Sequence, residues 1–465
     1  MIRLFKHYVP QQLLQLAIAE VIILFSSMYA GVQIRFLSYP EGHVEIIGPI
    51  FPKAFIFTIV MLSIMTALGL YQREHREEGE TGHFVRFVAS YIVGFIVMAF
   101  IFYVADLYLG RGAFILTFLV AFTGTTIARF LFHKFSENKL LKQRVLLLGA
   151  GSRVAKVETL EKDAKGKHKF HLVGCLPMSN TENCFTKTKI IDEQGSLLTI
   201  AKKYKVDEII VGVRERRGGG IPTDQLLECK LAGIEIVDLP SFFERETGQI
   251  QIESLNPSWM IFSDGFQRSS VKDMAKRFFD IVSSSVLLLT TLPVFLITAL
   301  FIWIESGSPV LYRQERVGEY GRIFKVLKFR SMRHNAEPDG VPQWAGKQDD
   351  RITRFGKIMR KLRIDELPQV FNVLKGDMSF VGPRPERPYF VQELTKKISY
   401  YSSRHTVRPG ITGWAQIRYS YGASVEDALQ KLQYDLYYVK NHSLFLDLII
   451  LLQTMQVILF GKGAR

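Results

Sequence analysis

The stretch Leu362-Arg363-Ile364-Asp365-Glu366-Leu367-Pro368-Gln369 sets two adjacent carboxylates in a basic neighbourhood and follows them with a proline. Between Arg351 and Gly410 the chain carries thirteen Lys/Arg against five Asp/Glu. A surface of that sign attracts phosphates. A carboxylate pair within it can do what arginines cannot: one oxygen can attack phosphorus while the neighbouring acid holds a divalent cation that neutralises the phosphoryl oxygens. Locally, Glu366–Lys375 reads as a helix with Pro368 in its first turn and Gly376 as its stop, which puts Asp365 at the N-cap. A helix N-terminus welcomes phosphate. Taken alone, an Asp-x-x-Pro is more often only a cap.

Upstream, Ile352, Phe355, Ile358, Met359 and Leu362 recur at helical spacing with Arg354, Lys357, Arg360 and Lys361 between them. That pattern predicts a basic amphipathic helix suited to an anionic surface. Val310–Gly318 and Phe324–Met332 are strand-like runs with alternating basic residues, read as walls of a polar site. Before them, Lys276-Arg277-Phe278-Phe279-Asp280 leads into an apolar segment, Ile281–Ile304, with Pro293 near its middle. A straight span there would put everything after it on the far side of the membrane from what precedes it. A re-entrant helix over 280–304, breaking at Pro293, keeps both on one side, with Lys276 and Arg277 at head-group level. The last apolar helix, Leu444–Phe460, is near the lower limit for spanning and suits an interface.

Four further apolar stretches open the chain, near Leu13–Ile34, Ile50–Leu70, Phe87–Leu109 and Ala113–Phe132, each close to the length of a spanning helix. A soluble bundle would need polar faces that these helices lack. The flank Arg129, Lys134, Lys139, Lys142 and Arg144, with Arg3, Lys6, Arg73 and Arg76, marks the cytoplasmic side. No small-residue cleavage site follows the first run, which is expected to be retained. The 465 residues, 48% of them hydrophobic, with a net charge of +15, describe a basic membrane protein that meets anionic head groups and anionic substrates. Nucleic acid is not expected as a partner, since zinc-ligand spacing and an aromatic RNA-binding signature are both missing. Cys175, Cys184 and Cys229 are odd in number and lack metal spacing, as reduced packing thiols do.

Between these regions, Arg144-Val145-Leu146-Leu147-Leu148-Gly149-Ala150-Gly151-Ser152-Arg153 runs a buried strand into a glycine turn. Strands at Phe170–Leu176, Glu208–Val213 and Ile234–Asp238, with helices at Gly195–Tyr204 and Thr223–Ala232, complete a Rossmann-like pattern. The glycine motif is incomplete. Val154 replaces the third glycine, and the second strand ends in Cys175-Leu176-Pro177 without a ribose-binding acid, so a degenerate structural or regulatory domain is expected.

The ordered motifs Lys276–Asp280, Gln314-Glu315-Arg316-Val317-Gly318, Lys328-Phe329-Arg330-Ser331-Met332, Asp365–Gln369, Gly376–Pro385 and Arg408–Gln416 carry a specific resemblance. From Lys276 onward the chain resembles the catalytic domain of bacterial polyprenyl-phosphate sugar-1-phosphate transferases, the large monotopic phosphoglycosyl transferases of exopolysaccharide biosynthesis. The resemblance implies that Asp365 attacks the β-phosphate of a UDP-sugar and releases UMP, while Glu366 ligates Mg2+. Undecaprenyl phosphate then takes the sugar phosphate, with ping-pong kinetics. It also implies phosphate-binding roles for Arg360 and Arg384, and less specifically for Lys328, Arg330, Arg408 and Arg418. Lys276, Arg277 and Pro293 are expected at the lipid-phosphate and membrane interface. Trp414 and Gln416 line a pocket or anchor a loop. Members often carry Ser-Pro at the re-entrant break, where this chain has Leu292-Pro293; Thr291 is the candidate hydroxyl for the broken backbone bonds.

The expected architecture is a multi-domain membrane protein. It has a four-helix transmembrane bundle (1–140), an α/β Rossmann-like domain (141–250), a linker (251–270) and a C-terminal α/β monotopic catalytic domain (271–465). Its expected place is the bacterial inner membrane, multi-pass, with the active site on the cytoplasmic face. The expected partners are a UDP-sugar, undecaprenyl phosphate and membrane lipid, and a homo-oligomer is compatible with all of these. A membrane-bound nucleotide-sugar dehydratase would need Tyr-x-x-x-Lys, and a metal-dependent glycosyltransferase would ordinarily show Asp-x-Asp; the chain has neither. A non-catalytic scaffold of polysaccharide export would keep its carboxylates for structure. Asp365→Asn separates the last reading from the enzyme: a transferase loses lipid-linked product in cells, whereas a scaffold keeps its cellular activity.

Overall fold

Apolar runs of about 20 residues fold as helices because a helix pairs nearly all its backbone polar groups within its own segment, as a bilayer demands. In the computed structural model the first four helices are α1 (Gln11–Arg35), α2 (Ile50–Ala67), α3 (Gly79–Val104) and α4 (Arg111–Ser136), preceded by a short hairpin, β1 (Ile2–Leu4) and β2 (His7–Val9). The structure describes residues 2–4, 6–37, 47–71, 79–105, 107, 109–136, 142–149, 151–163, 170–177, 188–192, 195–212, 222–255, 257–266, 269–332, 351–419, 422 and 424–460. Arg73, Arg76, Lys139 and Cys184 lie outside them. All four helices are long and apolar enough to cross a membrane.

Their inward faces bury Leu24, Met28, Phe57, Met61, Tyr91 and Met98, while Ile22, Phe51, Ile96, Phe100 and Phe130 remain exposed on the outside. Helices apolar on both faces suit a lipid surround. Gly31 lets α1 approach α4 closely, since a Cβ there would sit 2.6 Å from the Thr117 nitrogen. Arg129 does not point outward with the basic flank. It turns into the bundle and grips the buried Glu20 with two contacts, at 2.6 and 3.1 Å, with the Tyr71 hydroxyl also on that carboxylate. Arg144 likewise belongs to a strand, where its side chain donates to the Tyr204 carbonyl.

The described residues form two compact units, Met1–Lys134 with Gly265–Arg465, and Phe135–Asp264. The second unit is built on four parallel strands, β3 (Gln143–Leu148), β4 (Phe170–Leu176), β5 (Glu208–Val211) and β6 (Glu235–Asp238), in the order β4-β3-β5-β6. Around them lie α5 (Ser152–Asp163), α6 (Leu197–Lys203), α7 (Thr223–Leu231) and α8 (Leu239–Thr247). Alternate residues of β3 feed opposite cores: Val145 and Leu147 meet Phe242 and Phe243, while Leu146 and Leu148 meet Ile200 and Cys229. A sheet buried on both faces needs such a continuous apolar strand. Val154, at the third position of the glycine motif, packs on Gly212: a Cβ added there would lie 2.2 Å from its methyl. The expected linker is not bare, since α9 (Pro257–Phe262) and a 3-10 turn at Ile252–Ser254 belong to this unit.

The C-terminal part of the first unit begins with α10 (Ser270–Ser306), followed by the antiparallel hairpin β7 (Leu311–Val317) and β8 (Ile323–Phe329). Next come α11 (Arg354–Lys361), α12 (Gln369–Lys375), β9 (Ser379–Val381), α13 (Pro388–Lys397) and β10 (Gly410–Thr412). The chain ends with α14 (Trp414–Arg418), α15 (Val425–Asn441) and α16 (Leu444–Phe460), the last of which packs on α2. Helix α10 runs on through Pro293 rather than stopping there. The Thr290 and Thr291 hydroxyls bond carbonyls of Val286 and Leu287. They therefore do not serve Leu289, whose carbonyl loses its i+4 donor to Pro293. Straight, 37 residues would extend about 55 Å, yet both ends are tied to one domain. Near the start Arg277 donates to the Val373 and Leu374 carbonyls, and at the end Ser306 and Gly307 accept from Arg330.

Strands β9 and β10 pair in parallel, Gly410 opposite Ser379 and Thr412 opposite Val381. The backbones approach so closely that a Cβ on Gly410 would lie 2.1 Å from the Gly382 nitrogen. Gly410→Ala is expected to destabilise the protein by roughly 3 kcal/mol through overpacking against rigid backbone; thermal unfolding in detergent checks this.

Candidate active site

The carboxylate pair lies in a 3-10 turn, Ile364–Glu366, and not at the N-cap of the following helix, which begins at Gln369 with Pro368 as its cap. The physical reason is Arg363. Its left-handed backbone, φ 58°, ends the path from α11 and starts a tight turn before α12 can begin. Gly376 closes α12 in the left-handed conformation, as its stop position requires. Helix α12 is fastened to β8 by Asn372. Its side-chain oxygen accepts from the Leu327 amide at 2.9 Å and its nitrogen donates to the Lys325 carbonyl at 2.8 Å. This places the turn opposite Lys328.

Glu366 is largely buried, with 12% of its side chain exposed, and Oε1 gathers Arg384 at 2.9 Å, Lys328 at 3.3 Å and Arg363 at 3.8 Å. Burial alone would raise this carboxyl's pKa, but Arg384, Lys328 and Arg363 outweigh it and hold the group well below the usual range. Asp365 behaves oppositely. Burial, reinforced by the adjacent Glu366 charge, raises its pKa against the pull of Lys328, Arg360 and Arg363. Its Oδ1 is buried without a hydrogen-bond partner among the described residues. Lys328 is lowered by burial, and Arg384 adds to this while Glu366 opposes it. The neighbouring acids therefore differ: one is a locked anion, the other a more basic oxygen with nothing bonded to it, which suits a nucleophile.

Arg384 reaches this cluster from a loop whose carbonyls are all held. Pro383 accepts from the Gly410 amide, Arg384 from Arg404, Pro385 from Arg316 and Glu386 from the Val317 amide, at 2.9 to 3.0 Å. A shallow cleft beside it is lined by Val317, Gly318, Pro383, Arg404, His405 and Pro409.

Asp365, Glu366, Lys328, Arg384 and Arg360 are thus brought together, and Arg363, which sequence reasoning only counted among the basic residues, joins them. The other expected site residues lie elsewhere. Arg330 is buried and bonds Ser306 and Gly307, Arg408 sits 3.5 Å from Glu319, and Arg418 stacks on Trp414 with 4.3 Å to the ring. Trp414 is a buried anchor packed on Tyr437 and His7 rather than a pocket wall. Lys276 bonds Asp447 at 2.7 Å and the Val381 carbonyl, and Arg277 caps the end of α12, so both serve as ties within the protein. Asp280, buried at 0%, accepts from Ser379 and the Phe380 amide, so the motif at 276–280 is an anchoring device for α10. No simple sequence signal marks this, because the partners lie between 96 and 171 residues away.

The site is a set of cations closed on Glu366, carried by a unit whose apolar helices are long enough to cross a membrane. Residues 271–461 match the bacterial sugar transferase family. The chain is 42% identical over 194 residues to a UDP-glucose:undecaprenyl-phosphate glucose-1-phosphate transferase of Caulobacter vibrioides, covering 41% of this chain and 72% of that one. A UDP-N-acetylgalactosamine-undecaprenyl-phosphate N-acetylgalactosaminephosphotransferase of Aeromonas hydrophila is 42% identical over 261 residues, 56% of this chain and 61% of its own. An undecaprenyl-phosphate glucose phosphotransferase of Komagataeibacter xylinus is 32% identical over 356 residues, 75% of this chain and 65% of its own. The chain belongs to the bacterial sugar transferase family. It spans somewhat less than two thirds of the length of the Aeromonas and Komagataeibacter relatives.

The opposed shifts of the pair are directly measurable. With metal chelated, a carboxyl 13C titration is expected to place the Asp365 midpoint above the ordinary 3.8, so its ionised form is lost on acidification earlier than for a free aspartate. Lys328→Met removes a cation that favours the ionised form, and the midpoint is expected to move further up.

Proposed function

We propose that this chain moves a hexose-1-phosphate from a UDP-sugar to undecaprenyl phosphate through a covalent aspartyl intermediate, with release of UMP. The observation that carries the reading is the buried Oδ1 of Asp365, unbonded among the described residues, beside a Glu366 already enclosed by Lys328, Arg384 and Arg363. An Asp365 oxygen attacks the β-phosphorus, and the bond from that phosphorus to the bridging oxygen breaks. UMP leaves with the bridging electron pair. An oxygen of undecaprenyl phosphate then attacks the same phosphorus and the Asp365 carboxylate departs, restored. Lys328 and Arg384 meet the phosphoryl charge as it develops, and Arg360 lies close enough to Asp365 to act on the same charge.

The donor set fits Mg2+. The cation is commonly held by one or two carboxylates plus substrate phosphates, and here the adjacent carboxylates of Asp365 and Glu366 offer hard oxygens, the three cation contacts of Glu366 all falling on its Oε1. Glu366 would hold it, and it would supply neutralisation of the phosphoryl oxygens. No cluster of three or more metal-binding side chains stands among the described residues, so the phosphates themselves would complete the shell.

In this reading the four N-terminal helices span the bacterial inner membrane as a bundle, the parallel-sheet unit is a degenerate Rossmann-like domain, and the site faces the cytoplasm. Helix α10 enters and leaves the same face, bending at Pro293. The attachment of Arg277 and Ser306 to one domain supports this, as does the exposure of Leu289, Leu296, Ile297, Leu300 and Trp303 between them.

The relatives named above act, by name, on glucose and on N-acetylgalactosamine donors, so purified protein is tested with a panel of UDP-sugars that includes both. UMP release is expected with one or a few donors, and labelled sugar in the lipid phase only when undecaprenyl phosphate is present. Glu366→Gln is expected to lower the rate on the order of a hundredfold or more. A wild-type protein that binds UDP-sugars and releases no UMP would contradict the proposal.

A further inference from the structure

Arg404 and Asp435 form an ion pair at 2.7 Å, with 6% and 2% of their side chains exposed. Burying two opposite charges is costly, and such a pair is weak as a source of stability, so its use has to be sought in what it holds in place. The Arg404 guanidinium makes two further bonds. It donates to the Tyr401 hydroxyl at 2.8 Å and to the main-chain carbonyl of Arg384 at 2.9 Å.

That carbonyl is the second of the four held in the Pro383–Glu386 loop. Its neighbours are served by the backbone amides of Gly410 and Val317 and by Arg316, which is itself only partly buried. Among these four contacts Arg404 acts on the residue whose side chain enters the carboxylate site. Arg384 reaches Glu366 from there at 2.9 Å. A planar, five-donor fork can hold a carboxylate, a phenol and a carbonyl at once, whereas an ammonium on a flexible stem holds no such fixed angle.

We infer that Arg404, held by Asp435 on α15 and by Tyr401, is a positioning residue that aims the Arg384 guanidinium at the phosphates of the donor. This rests on the proposed reading of Arg384 as a phosphate ligand. Arg404 touches neither substrate nor reacting atoms. Its influence passes through the Arg384 main chain, so it disappears when the Arg384 side chain is absent.

A double-mutant cycle tests this, with UMP release measured over a range of UDP-sugar concentrations and unfolding followed for every variant. Arg404→Lys is expected to lower kcat/KM on the order of tenfold or more, as misplacement of a phosphate ligand does. In the Arg384→Ala background the same change is expected to produce no further loss. Tyr401→Phe keeps the packing and removes one bond from Arg404; roughly threefold loss is expected, again only when Arg384 is present. It carries the test if Arg404→Lys does not fold. Equal losses in both backgrounds would overturn the positioning role while leaving Arg384 as a ligand. An Arg384→Ala protein with unchanged kcat/KM would overturn the reading of Arg384 itself, and the positioning role with it.

Discussion

The largely buried carboxylate of Glu366 is the constraint around which the site is arranged. An anion with 12% of its side chain exposed needs compensating charge, and it draws that charge from strand β8, from the turn at Arg363 and from the loop carrying Arg384. Three segments distant in sequence are thereby brought to one point. Removing one partner from such a group leaves charge uncompensated in a poorly solvated place, which is a larger penalty than the pair is worth when intact. The left-handed Arg363 is understandable in the same terms. Its backbone strain accompanies a tight turn in which its own guanidinium comes within 3.8 Å of the Glu366 carboxylate.

Rigidity around this point comes from main-chain ties together with apolar packing, in which Ile364 and Leu367, on either side of the pair, rest on Ile302, Phe329 and Met359. Asn372 completes hydrogen bonds along β8, four successive carbonyls of the Pro383–Glu386 loop are held, and the close approach of Gly382 and Gly410 locks β9 to β10. Long polar side chains with several rotamers are thus carried on backbone that has little freedom, which is what charge stabilisation at a reacting phosphorus requires. The membrane-facing helix is joined to the same framework. Lys276, Arg277 and Asp280 bind its start to β9, α12 and α16, and Arg330 binds its end.

Much of this was legible from residue pattern. The apolar runs near 13–34 and 50–70 correspond to helices Gln11–Arg35 and Ile50–Ala67, and the basic amphipathic stretch to Arg354–Lys361, because length and period report directly on burial. The glycine motif reads as incomplete because Val154 stands in place of the third glycine, and in the structure Val154 packs on Gly212. What escaped was whatever depends on distant partners. Asp365 reads locally as an N-cap, and only the left-handed Arg363 makes it part of a 3-10 turn. Lys276 and Arg277 look like head-group ligands until their carbonyl and carboxylate partners are in view. Arg129 looks like a topological marker, and its partner Glu20 lies 109 residues away, flanked by apolar residues in a membrane-length helix. Arg404 and Asp435 carry no local signal at all, being a charge pair that only tertiary folding buries.

The account rests on phosphorus becoming covalently bonded to one side-chain oxygen. Peptide mass spectrometry of enzyme quenched in acid after exposure to its UDP-sugar, with no lipid acceptor present, tests this most directly. A sugar-phosphate mass on the peptide containing Asp365, lost on a chase with undecaprenyl phosphate, is the predicted result. Turnover without any such adduct, or an adduct on a different side chain, would contradict it.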